Sequence, residues 1–401
     1  MIEPRAKYCF ADFFAGPGGL SVGFEMTESF VPVYAVDADE DAAKSYKENR
    51  KGLNVEVRTT KISSVSSSDV KDQAKQAGFG GVDAILAGPP CRPYSMANRS
   101  RESRWTRAQI PLEFRDLLDL IDEVGPTAVI IENVPTLAHI GDGDLLQLIC
   151  EELKVNYHVE TNILQAVDFG VAQYRRRLFI CAVRKRIDFI GSVLQPPGNG
   201  RIWRAGDAIR DLPPVKGAGF QESEYPEKPK PSEYARLLRN GSNKLFDHQV
   251  HRPYSEEKDR FKFIDHGDCL RKAWEETRIP KELVLNTYSK GTRKKMHFNI
   301  YYRLPWNEPS CTITHVRKAV LIHPDKRQNR LLSVREAARL QSFPDGYRFY
   351  ADGISGKYQQ VADAVPPFVA RQIATQVERI LPRTPIAESE TPIGQPAGYS
   401  H

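Results

Sequence analysis

Cysteine is scarce in this chain: six residues among 401, at positions 9, 91, 150, 181, 269 and 311, with no C-x-x-C pair. That usage argues against a zinc ribbon or a disulfide scaffold, and no metal site is expected. No apolar run approaches the roughly 18 residues of a membrane helix, and the opening MIEPRAKYCF has no signal-peptide core. A soluble, cytoplasmic protein with reduced thiols is the expectation. A strong excess of one charge is missing too, with 57 Lys and Arg against 51 Asp and Glu.

What is present is the composition of a folded protein, 40% hydrophobic and 27% charged. At ~150 residues per domain the length suggests two or three domains. The charge is unevenly spread: residues 184–330 carry a balance of +12, and the remainder −6. A basic middle region facing a polyanion, fixed to a mildly acidic body, accounts for that asymmetry.

The first 185 residues alternate apolar runs with amphipathic stretches. YCFADFF, VPVYAVDAD, GVDAILAG, TAVIIENV and LFICAV read as strands; DEDAAKSYKENR and LEFRDLLDLIDEVG have helical spacing. Such alternation predicts an α/β fold, a doubly wound parallel sheet with its functional residues just after each apolar run. From about 186 to 310 the rhythm gives way to Pro and Gly clusters such as QPPGNGR and YPEKPKPSEY. Regularity returns with the helical LLSVREAARLQSF, a loop through GISGKYQQ and a last helix PPFVARQIATQVERIL, before a polar tail over 383–401 that reads as disordered.

Four segments can carry chemistry. In Asp12-Phe13-Phe14-Ala15-Gly16-Pro17-Gly18-Gly19-Leu20 a strand runs through glycines into a helix, which lets a ligand approach the backbone. It is neither a P-loop nor G-x-G-x-x-G, so phosphate cradling is not indicated. Asp37, ending the next strand, is placed to accept hydrogen bonds from ribose hydroxyls, and together these point to a nucleoside-containing cofactor. Cys91, in GPPCRPYS after a buried strand, is placed for nucleophilic attack. Glu132, in IENV, leaves the same sheet edge and can donate or accept a proton. In QYRRR, Arg175 and Arg177 would share one face of a strand and present two guanidiniums to an oxyanion, carbonyl or phosphate.

Taken together, DFFAGPGG, GPPCRPYS, IENV, QYRRR, LLSVREAARLQSFPD and DAVPP resemble the cytosine-5 DNA methyltransferases that use S-adenosylmethionine, over roughly residues 8–185 and 298–380. The resemblance implies a Rossmann-like class I methyltransferase sheet with an inserted, loop-rich target-recognition domain. The catalytic domain would span 1–185 and 311–382, and the recognition domain 186–310. It implies Cys91 as the thiolate that adds to cytosine C6, Glu132 at N3, Arg177 near O2 and Arg175 supporting them. Around the cofactor it places Phe14, Gly16, Pro17, Gly18, Gly19 and Leu20, then Asp37 and Ala38, Lys61 and Ile62, Gly88 and Pro90, and Asp363, Ala364 and Val365. Phosphate or groove contacts fall to Arg92, Ser95, Arg99, Arg101, Arg104 and Trp105, and to Arg293, Lys294 and Lys295. The partner implied is double-stranded DNA in a bacterial nucleoid, met by a monomer, with a cognate restriction endonuclease acting on the same site.

The chain departs from the family pattern at four places. Arg92 follows the cysteine where Gln is usual, Ala362-Asp363 stand for Gly-Asn, Lys61 stands for Asp, and Ala38 stands where an aromatic is frequent. The transfer-RNA-methylating relatives carry a Cys-Phe-Thr motif, whereas the middle cysteines here lie in DCLRKAW and SCTITHV. A non-catalytic DNA-binding homologue is the other alternative, opposed by the intact Cys91, Glu132, Arg175 and Arg177.

Overall fold

The computed structural model describes residues 8–90, 107–187, 191–198, 200–216, 218–251, 255–284, 301–314 and 320–382. The run Tyr8–Phe13 (β1) is buried at every position, as a strand covered on both faces must be. The other strands of its sheet are Phe30–Asp37 (β2), Glu56–Thr59 (β3), Ala84–Ala87 (β4), Ala128–Asn133 (β5), Tyr157–Gln165 (β6) and Arg176–Arg184 (β7). They form one sheet in the order β3-β2-β1-β4-β5-β7-β6. The first five strands run parallel, while β7 is antiparallel to both β5 and β6.

Helices Gly19–Glu25 (α1), Glu40–Glu48 (α2), Ser67–Gln76 (α3), Leu112–Val124 (α4) and Asp144–Lys154 (α5) make the crossovers. Local chemistry sets their ends. The Asp39 carboxylate accepts from Ala42 N at 2.8 Å to start α2, and Ser66 accepts from Asp69 N at 3.1 Å to start α3. Gly125, at φ 73°, ends α4. Strand order turns at β1, with β2 on one side and β4 on the other, so the carboxyl ends of β1 and β4 flank the crevice where open α/β sheets bind ligands.

The chain divides into two compact units, one drawn from 1–169, 176–200 and 364–398, the other from 170–175 and 201–363. The first unit is thus discontinuous, and its last helix, Pro367–Ile380, lies against α1. The borders differ from those expected at 185 and 311: residues 311–363 fold with the middle segment, and the return falls at Ala364. The reason lies in helix Val334–Leu340, buried at every position despite two arginines. Arg339 pairs with Asp211 and Asp345, each at 2.6 Å, and Arg335 donates to the Phe246 and Pro344 carbonyls at 2.9 and 2.8 Å. Buried guanidiniums need such partners, and the middle segment supplies several of them.

The second unit is loop-rich, with an antiparallel pair, Gly219–Glu224 and Lys244–Gln249, and short helices. GISGKYQQ is a helix, not the expected loop: it opens Ile354–Asp363, where burial of Tyr358, Val361 and Ala362 outweighs Gly356 in the first turn. Among the described residues no helix is long and apolar enough to cross a membrane.

Candidate active site

Three residues of the turn after β1 have left-handed backbone: Phe14 at φ 54°, Gly16 at 56° and Gly18 at 89°. Gly16 N donates to Asp37 Oδ2 at 2.7 Å, and Asp39 N donates to Asp37 Oδ1 at 2.8 Å, so the carboxylate ending β2 clasps the turn. Burial pushes the Asp37 carboxyl above its ordinary value, against these two backbone hydrogen bonds.

The glycines have different reasons to be glycine. A Cβ on Gly18 would lie 2.8 Å from Tyr46 Cδ2, and one on Gly19 only 2.2 Å from the Val365 carbonyl oxygen. Close packing within the protein explains both. A Cβ on Gly16 would meet nothing within 4 Å, which leaves open space beside a fixed carboxylate. Such a cradle fits the nucleoside and amino-acid parts of S-adenosylmethionine. Ile62 is buried nearby in chain order, while Ala38, Lys61 and Pro90 are exposed. Pro17 and Leu20 are buried, and Ala364 and Val365 abut Gly19. Asp363 belongs to the second unit, where its carboxylate accepts from Gln359.

Gly88 links this turn to the next strand exit: a Cβ there would stand 3.5 Å from the Phe14 carbonyl oxygen and 4.0 Å from Glu132 Oε2. Glu132, 8% exposed, receives Arg177 Nε on its Oε1 at 2.9 Å. The antiparallel β7 makes this possible, since its first residues reach the edge where β5 ends. Arg175 does not share that placement. It precedes β7 in the second unit, buried, with Nη1 donating to the Ile313 carbonyl at 3.3 Å and Nη2 to that of Ala362 at 2.7 Å. Cys91, Arg92, Ser95, Arg99, Arg101, Arg104, Trp105, Arg293, Lys294 and Lys295 lie outside the described residues.

The motifs singled out in the sequence do not include the network behind the turn. Asp12 is fully buried; its Oδ2 accepts from Ser21 at 2.5 Å, and Ser21 Oγ lies 2.8 Å from the Tyr46 hydroxyl. Arg50 stacks 3.7 Å above Tyr46 and holds Glu25 through Nε and Nη2 at 2.8 and 2.6 Å. The spacing of Tyr46 and Arg50, one helical turn apart, was the available signal.

Strand order, a single reversed strand and a ligand cradle at the β1 exit define a class I methyltransferase fold. The model of the C-5 cytosine-specific DNA methylase family matches residues 8–379, and the chain belongs to that family. It is 30% identical to type II methyltransferase M.AgeI of Thalassovita gelatinovora, covering 92% of this chain and 98% of that one. It is 29% identical to type II methyltransferase M.DdeI of Desulfomicrobium norvegicum, over 91% and 87%. Among solved structures, a prophage-encoded DNA modification methyltransferase of E. coli superposes with a TM-score of 0.70 at 20% identity, over 93% of this chain and 99% of that one. The enzyme class is DNA (cytosine-5)-methyltransferase.

Proposed function

We propose that this enzyme methylates one cytosine of a specific duplex DNA sequence through a covalent Cys91–C6 adduct, as the modification partner of a restriction endonuclease. The observation that carries the reading is the Glu132–Arg177 pair beside the open cradle at Gly16, joined through Gly88. The names of the two type II relatives support the restriction–modification setting.

Cytosine C5 is a weak nucleophile, and C6 is hidden in the duplex. The base is therefore flipped out, at a cost of a few kcal/mol. The Cys91 thiolate adds to C6, which gives C5 the character of an enamine. Arg177 occupies Oε1 of Glu132 and leaves Oε2 turned toward Gly88, the oxygen that holds a proton at N3 as charge develops there. Bound S-adenosylmethionine supplies an electrophilic methyl group to C5. Loss of the C5 proton and departure of the thiolate then restore the aromatic base as 5-methylcytosine.

Phe14 to Leu20 with Val365 would hold the methionine half of the cofactor, Asp37 its ribose and Ile62 its adenine. The second unit, which contains most of the basic middle segment, would read the DNA, with Lys and Arg contacts to phosphate fixing register.

Bisulfite sequencing of total DNA from a methylation-free bacterial host expressing the chain tests this reading. Protection of cytosine in one short sequence context, lost with Cys91→Ala, is the expected result. Soluble protein that protects no cytosine overturns it.

A further inference from the structure

Within the second unit, the segment that leads into β7 pairs along its backbone with a stretch of the basic middle region. Tyr174 N donates to the Ser310 carbonyl at 2.8 Å, and Ser310 N to that of Ala172 at 2.9 Å. Just beyond this bridge, side chains hold both backbone groups of Ile313. Its N–H donates to Gln173 Oε1 at 3.4 Å, and its carbonyl accepts from Arg175 Nη1 at 3.3 Å. The same two side chains reach a second segment. Arg175 Nη2 donates to the Ala362 carbonyl at 2.7 Å. Gln173 Nε2 donates to Gln341 Oε1 at 3.3 Å, and Gln341 Nε2 to the Val361 carbonyl at 2.6 Å. Two routes therefore run side by side from Ile313 to the adjacent carbonyls of Val361 and Ala362.

From this geometry we infer that Arg175 is a positioning residue that couples the enzyme's two ligands: DNA docked on the 310–313 stretch shifts Ile313, and the guanidinium passes that shift through Ala362 to the wall of the cofactor cradle. Ala362 lies two residues before Ala364, and Ala364 and Val365 abut Gly19. The planar fork of Arg175 fixes the separation of its two donors, so the carbonyls it holds move together. Arg175, Gln173 and Gln341 are all buried, and a carbonyl that let go of its donor there would bear the cost of desolvation. The inference rests on the reading of the second unit as the part that takes DNA and of the Gly16 turn as the part that takes S-adenosylmethionine. It gives Arg175 a task toward the cofactor in place of one toward an oxyanion. Coupling of this kind is reciprocal, each ligand changing the affinity for the other by one common factor.

The test uses the full chain and radiolabelled S-adenosylhomocysteine, the demethylated product, so that no methyl group is transferred and only affinity is read. Equilibrium dialysis measures its binding alone and with an excess of sheared duplex DNA from a methylation-free bacterial host. The ratio of the two affinities is the coupling factor. Arg175→Met removes the fork and keeps the stem. Arg175→Lys keeps the charge, but its single nitrogen lacks the fork that spans both carbonyls. Gln341→Met cuts the second route and leaves the guanidinium in place.

In wild type the expected coupling factor is about fivefold or more. It should fall close to one in Arg175→Met and Arg175→Lys, and stay near the wild-type value in Gln341→Met. A wild-type factor in either Arg175 variant overturns the inference. So does an affinity lowered equally with and without DNA, since that leaves the factor unchanged and marks a structural role alone. Should Arg175→Met fail to fold, Arg175→Lys carries the same comparison, with melting temperature as the check. Wild type that binds both ligands with a factor of one overturns the inference and spares the underlying reading. Wild type that retains no product, or no DNA on a filter, overturns that reading and the inference with it.

Discussion

Arg177 sets its Nε 2.9 Å from Oε1 of Glu132, and the two residues come from strands that run in opposite directions. Glu132 lies directly opposite Phe179 in the ladder, so Arg177, two residues earlier on the same face, is its diagonal neighbour. The pairing needs the reversed strand; a parallel β7 would carry its first residues to the far edge of the sheet.

Removing one member of this pair strands the other. The side chains are 18% and 10% exposed, so Arg177→Leu leaves a nearly buried carboxylate without this cation. A loss of about 3 kcal/mol in urea unfolding is expected for Arg177→Leu, at the low end for a broken buried pair because some solvent reaches it. The double variant Arg177→Leu/Glu132→Gln should recover much of that stability while staying inactive. A double variant as unstable as the single one would show that the charge pair is not the source.

Glycines of the turn and of α1 separate packing from binding. Gly23→Ala sets a methyl 2.4 Å from both Ala370 Cβ and the Pro367 carbonyl, forcing α1 away from the last helix. A destabilisation of roughly 1–3 kcal/mol is expected from such overpacking. Gly16→Ala meets no protein atom within 4 Å and carries only the cost of φ +56°, about 1–2 kcal/mol. Its methyl occupies the cradle instead. Calorimetry should therefore find S-adenosylmethionine affinity lowered more by Gly16→Ala than by Gly23→Ala, with melting temperatures in the opposite order. Equal effects on affinity would remove Gly16 from the cofactor site.

The sequence shows the buried strands well and the edges poorly. β1, β4 and β5 are mostly apolar and buried at every position because both faces are covered, whereas edge strand β3, EVRT, has no buried residue and β6, YHVETNILQ, exposes His158, Thr161 and Asn162. Neither edge gives an apolar run to read. Arg175 and Arg177 have the spacing of one strand face, yet the strand begins at Arg176 and Arg175 turns to the Ile313 and Ala362 carbonyls. A motif fixes residue order, not where a strand starts. The same limit applies to the glycines: DFFAGPGG announces a turn, but only the positions of Tyr46 and Val365 tell which glycines are held by protein neighbours.

Asp12 gives stability an unusual pH dependence. Burial pushes its carboxyl up to about 7, opposed by the hydrogen bond from Ser21 and the charge of Arg50, with Asp37 and Glu25 pushing it further up. Between about pH 4 and pH 7 the folded state holds a proton there that the unfolded chain, with an ordinary Asp near 3.9, has released. The native state binds more protons in that window, so this group's contribution is complete below pH 4 and declines as pH rises through 7, by on the order of 4 kcal/mol. Asp12→Asn removes the titration and keeps an acceptor for Ser21. Urea unfolding from pH 4 to pH 8 should show the variant gaining on wild type as pH rises, with the change concentrated between pH 4 and 7. A difference that stays constant across that range would mean that Asp12 is ionised in the folded protein, with the Arg50 charge outweighing its burial.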